Sequence, residues 1–90
     1  MAYLGTFKVN TNREFMEFEN VDGVDITLFE GKTYICQVQG GKVLVCLTDS
    51  LPAGGYLIEQ DEGFAVTPKD GKTLWIKNVA STDVHITISD

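Results

Sequence analysis

From Thr33 onward the chain alternates apolar and polar positions with a period of two. Tyr34, Cys36 and Val38 occupy every second position of one run, and Val43, Val45 and Leu47 do the same in the next. That period predicts two strands with one buried face each. Gly40-Gly41 lies between them and suits the positive φ angles of a two-residue turn, which predicts a hairpin with Val38 facing Val43, Cys36 facing Val45 and Tyr34 facing Leu47. The pattern returns after Gly71, where Leu74, Ile76 and Asn78 precede a loop at Ala80-Ser81-Thr82 and Val84, Ile86 and Ile88 come after it. Both stretches open with Gly-Lys-Thr, so the sequence reads as two copies of one amphipathic hairpin, packed core face to core face.

The remaining segments predict further strands. Tyr3 to Val9 alternates Tyr3, Gly5, Phe7 and Val9 against Leu4, Thr6 and Lys8, and ends at the Asn-Thr-Asn of residues 10–12. Phe15, Met16 and Phe18 fit neither a strand nor a helical period, leaving that segment open between a short strand and a single helical turn. Asp22-Gly23 is a hairpin signal, and Val24, Ile26 and Leu28 share one side of the run after it. Asp61-Glu62-Gly63 and Pro68-Lys69-Asp70-Gly71 are turns, the second joining residues 64–67 to residues 72–77 as a meander. No segment asks to be a long helix. The expected fold is all-β, a small antiparallel β-sandwich or barrel of about eight strands built from hairpins, with residues 1–90 as a single domain.

Charge narrows the classes of partner. Thirteen acidic residues against seven basic ones give a net charge of −6, and the cations are scattered, so neutralising a nucleic-acid backbone is not expected. No apolar run reaches the roughly 18 residues of a membrane-spanning helix, and the N-terminal residues lack the features of a signal peptide, so synthesis and retention in a cytoplasm are expected. A phosphate-binding loop needs a glycine five residues before the glycine of Gly-Lys-Thr and a helix after it. Ile26 and Val66 hold those positions and strands come next, so both copies read as glycine turns with a solvated lysine.

Chemistry is equally sparse. Within the predicted hairpin Cys36 and Cys46 point to opposite faces, which predicts two free thiols rather than a disulfide. His85 is the single histidine, and no Cys-x-x-Cys spacing exists to suggest a metal. Asp49, Glu59, Asp61, Glu62 and Asp70 fall in or beside turns without the spacing of a calcium loop. The chain is therefore expected to be no enzyme and to need no cofactor.

Surfaces are more informative. The predicted hairpins place Ile35, Leu44 and Cys46 on the second face of one and Trp75 on the second face of the other, more apolar area than a sheet open to water normally carries. These four residues are the candidate subunit contacts of a homo-oligomer. An alternative puts Trp75, Lys77 and His85 together on one face as a platform for a surface carbohydrate, the indole stacking on sugar C–H groups.

The segment YICQVQGGKVLVCLTDSLPAGGYLIEQDEGFAVTP and the closing GKTLWIKNVASTDVHITISD resemble small virion proteins of tailed phages. In those proteins a glycine hairpin, a Ser-Asp-Ser/Pro/Gly-Gly loop, an acidic-glycine turn, a Leu-Trp-Val/Ile-Lys strand and a terminal Ile-Ser-acidic strand recur. The residues carrying the likeness are Gln37, Gly40, Thr48-Asp49-Ser50, Pro52, Gly54-Gly55, Leu74-Trp75-Ile76, Ile86 and Ser89-Asp90, within a region that covers about two thirds of the chain. The resemblance implies a non-enzymatic structural component of a bacteriophage virion, such as a head decoration protein or a fibre or tail accessory. It would be made in the bacterial host cytoplasm and dock on a capsid or tail protein. Residues 1–24 fall outside the match and are where a docking or subunit-exchange segment is expected.

Overall fold

The computed structural model describes residues 2–11 and 14–90; Asn12 and Arg13, at the predicted end of the first strand, and Met1 lie outside them. Eight strands run in chain order as β1 (Tyr3–Val9), β2 (Met16–Glu17), β3 (Tyr34–Gln39), β4 (Val43–Thr48), β5 (Tyr56–Ile58), β6 (Gly63–Val66), β7 (Thr73–Asn78) and β8 (Val84–Ser89). The ambiguous segment resolves as both of its alternatives, the two residues of β2 continuing at once into a 3-10 turn over Phe18–Asn20.

The strands form two four-stranded sheets, ordered β1-β8-β3-β6 and β2-β7-β4-β5, with every pairing antiparallel. The fold is thus the expected all-β sandwich, and it is not a closed barrel. Strand β1 lies on β8, β2 on β7, β3 on β6 and β4 on β5, so the chain is one long ribbon doubled back on itself. Rolling the ribbon brings β8 against β3 and β7 against β4, which is the topology of a jelly roll.

That wrapping corrects the predicted hairpins. Strands β3 and β4 sit in different sheets, as do β7 and β8, so each Gly-Lys-Thr copy is an arch spanning the sandwich. The predicted meander of β6 with β7 is also replaced by a crossing between sheets, and Asp22-Gly23 has no strand on its far side. Burial alone does not distinguish hairpin from arch. Val38 and Val43 point inward in either arrangement, and the expected core residues Tyr34, Cys36, Val38, Val43 and Val45 are all buried. What separates the two is the approach of the arches to each other. A Cβ on Gly41 would lie 2.7 Å from the Cβ of Ala80 and 2.9 Å from Cγ2 of Val84, so one arch needs a glycine where the other presses on it.

The repeat now acquires a meaning. Matching β1–β4 with β5–β8 in order turns the first sheet into β5-β4-β7-β2, the second sheet read backwards. The repeated phrase marks the equivalent arches of an internally two-fold topology, and they pair with each other through β3·β8 and β4·β7.

The core runs between the sheets. Ile76, Val84, Ile86 and Ile88 meet Tyr34, Cys36 and Val38, while Phe7 and Phe18 pack edge to face with centroids 5.8 Å apart. Asn78 is the buried polar residue of the described chain, and its hydrogen-bonding groups are met: Nδ2 donates to the carbonyls of Val9 and Thr82, and Oδ1 accepts from the Ala80 amide. Val24, Ile26 and Leu28 turn inward without joining a ladder. The Glu19 carboxylate accepts the Leu28 N–H at 3.0 Å and the Tyr34 hydroxyl accepts the Phe29 N–H at 2.8 Å, replacing strand partners.

Candidate functional site

The outward positions of the second sheet form rows across its strands. Glu17 stands beside Trp75 and Trp75 beside Cys46, while Lys77 stands beside Leu44 and Leu44 beside Leu57. The Lys77 ammonium lies 5.7 Å from the centroid of the Phe15 ring, extending the second row past the sheet edge. Leu44, Cys46 and Trp75 are half-buried and Leu57 is 51% exposed. This face carries a contiguous apolar surface crossed by one cation and one carboxylate.

Two hydrogen-bonding groups at this face are left over. The indole Nε1 of Trp75 and the hydroxyl of Thr73 are buried without a hydrogen-bond partner among the described residues. Each such group forfeits about 1–3 kcal/mol relative to a satisfied one. The surface continues round the edge strand β5 to the seam between β5 and β6. There Tyr56, Ile58, Phe64 and Leu47 line an apolar groove of about 380 Å³, with Tyr56 itself 76% exposed.

The candidate contact set is thus divided by the fold. Leu44, Cys46 and Trp75 come together, but Ile35 stands on the outer face of the other sheet, 41% exposed, between Ala65 and Ser89. The alternative carbohydrate set also separates. Trp75 and Lys77 belong to the second sheet, whereas His85 projects from β8 in the first, on the opposite side of the sandwich. Both errors share one cause: they assumed that consecutive strands of each copy lie in one sheet. Leu57 and Phe15 were missed. The run Tyr56-Leu57-Ile58 held the signal, because three consecutive apolar residues in one strand cannot all face one core.

The cysteines are free, as the side-chain period required, with Cys36 buried in the core and Cys46 on the outer face of the second sheet. Burial pushes the Cys36 thiol from the ordinary value of 9.0 up to about 12. Among the described residues no three His, Cys, Asp or Glu side chains gather to hold a metal ion. Compared with protein-family models, with curated proteins and with solved structures, the chain matches none.

Proposed function

We propose that the protein is a non-enzymatic structural component of a tailed-phage virion that assembles as a homo-oligomer through the outer face of its second sheet. The observation that carries assembly is the apolar row of Leu57, Leu44 and Cys46 beside Trp75, whose indole N–H is already withdrawn from water without a partner. A second copy covering this face would bury that surface, and the apolar seam beside Tyr56 would extend the contact. The virion assignment draws on the resemblance of residues 33–90 and on the jelly roll, an architecture that capsid proteins share with lectins and other classes, so the fold supports it by analogy only. Residues 1–24 supply one edge strand of each sheet, and in this reading docking on a capsid or tail protein uses those edges.

Sedimentation velocity tests the assembly. The wild-type chain is expected to sediment as an oligomer, and Leu44→Glu, which sets a charge in a dry contact, shifts it toward monomer while the far-ultraviolet β-signal persists. A wild-type monomer at high micromolar concentration overturns the assembly reading. Mass spectrometry of purified particles of the source phage tests the virion reading, which fails if the chain is missing from them.

A further inference from the structure

The outer face of the first sheet differs in kind from that of the second. One row across β1, β8, β3 and β6 reads Thr6, Thr87, Gln37 and Gly63; the row beside it reads Tyr3, Ser89, Ile35 and Ala65. A third adds Lys8, His85 and Gln39 at one end. None of the chain's thirteen acidic residues occupies a position in these rows, although the chain carries a net charge of −6. Asp83 approaches from the edge, pairing with Lys8 at 3.9 Å.

Tyr3 is brought to this face by a local irregularity. In a regular strand an odd-numbered residue of β1 would point inward with Phe7 and Val9. The register shift between Tyr3 and Gly5 reverses that parity, so Tyr3 shares a face with Thr6 and is 67% exposed. Its hydroxyl lies 2.9 Å from Oγ1 of Thr6, which in turn lies 3.0 Å from Oγ1 of Thr87. Three residues of extended chain span roughly 10 Å, more than a tyrosine side chain reaches when it stands upright, so the ring must lie along the strand. A flat aromatic face is thereby held open beside a line of hydroxyls. Further across the sheet, Gly63 leaves a depression of about 330 Å³ among Ile35, Gln37, Thr87 and Ser89. A side chain at Gly63 would be tight, its Cβ coming to 3.0 Å from the Cys36 carbonyl oxygen.

We infer that this face binds a neutral glycan, with the Tyr3 ring as stacking platform and Thr6, Thr87, Gln37 and Ser89 as hydrogen-bond partners. Charge selects this occupant. The one lysine in these rows, Lys8, is too little positive charge for a nucleic acid. A protein interface buries an apolar and aromatic centre, whereas here hydroxyl and amide groups hold the middle and would need partners of their own. A polyhydroxyl chain supplies both donors and acceptors to those groups and presents C–H faces to the ring and to Ile35. The face lies on the opposite side of the sandwich from the proposed subunit contact, so glycan binding does not depend on assembly.

Amide chemical shifts of the labelled full chain test it, with cellohexaose, mannohexaose and N-acetylchitohexaose as neutral probes and polygalacturonate as the anionic comparison. At least one neutral probe is expected to give saturable shifts at low-millimolar concentration in β1, β8 and β3. Tyr3→Ala should weaken that binding about tenfold or more, and Leu44→Glu should leave it unchanged. Glycan binding at this face is ruled out if no neutral probe gives saturable shifts, if only polygalacturonate does, or if the shifts fall on β4 and β7.

Discussion

Cys36 shows how much a single side chain's surroundings decide. Its thiol lies wholly within the core, and desolvation holds it protonated up to about pH 12, while in the unfolded chain it ionises near the ordinary thiol value of 9.0. Its folded value is raised, so its contribution to stability is complete below about 9 and is lost as pH rises toward 12. The urea midpoint is therefore expected to fall with pH across that window more steeply in the native sequence than in Cys36→Val, which has no group to ionise. Equal slopes would remove the thiol from the account. Alkylation should reach Cys46 before Cys36 unless a subunit contact covers it, because only Cys46 lies on an outer face.

At the level of elements, the sequence disclosed most of the strands and, Tyr3 apart, which of their faces are buried, but not which strands are neighbours, nor that the run from Val24 to Leu28 joins no ladder. Alternation specifies a face, and Val43 and Val45 face the core whether β4 lies beside β3 or across from it. Partner choice is decided by contacts far apart in the chain, such as Val38 with Ile86 and Val45 with Ile76, which no local period encodes. The candidate surface was legible to the same depth. Leu44, Cys46 and Trp75 were recognisable as outward and apolar, whereas the separation of Ile35 and His85 from them depended on the pairing. Tyr3 was hidden for another reason, since a bulge reverses the parity from which its direction was read. The arches offer a direct check. Gly41→Ala sets a methyl against Ala80 and Val84 and is expected to cost about 1–3 kcal/mol, as overpacking does. Combined with Ala80→Gly it should cost less than the sum of the two single changes, read as coupling in a double-mutant cycle of urea unfolding. Strict additivity would mean that the arches do not abut.

On the scale of the whole molecule, the two outer faces are specialised in opposite directions, one apolar and one hydroxyl-rich with no acidic residue in its rows. The ends of the described chain are held together as well: Ala2 and Asp90 exchange backbone hydrogen bonds, and the Asp90 carboxylate meets the Lys32 ammonium at 2.6 Å. That hydrogen bond holds the Asp90 carboxyl below its ordinary range. The rolled ribbon also has a bearing on synthesis. Strand β8 lies between β1 and β3, so the interior of the first sheet is filled by the last of these eight strands to leave the ribosome. Until then β1 has no partner and β3 has only β6, and the nascent chain is held back from its native form. Removing residues 84–90 is accordingly expected to abolish the cooperative urea transition rather than lower its midpoint, and refolding of the intact chain should be slow, in the range of milliseconds to seconds typical of non-local β topologies. A cooperative transition in the truncated chain would contradict this. Chains emerging side by side on one polysome each present a vacant slot and a complementary strand, so crowded synthesis favours strands exchanged between copies unless each chain closes on itself first.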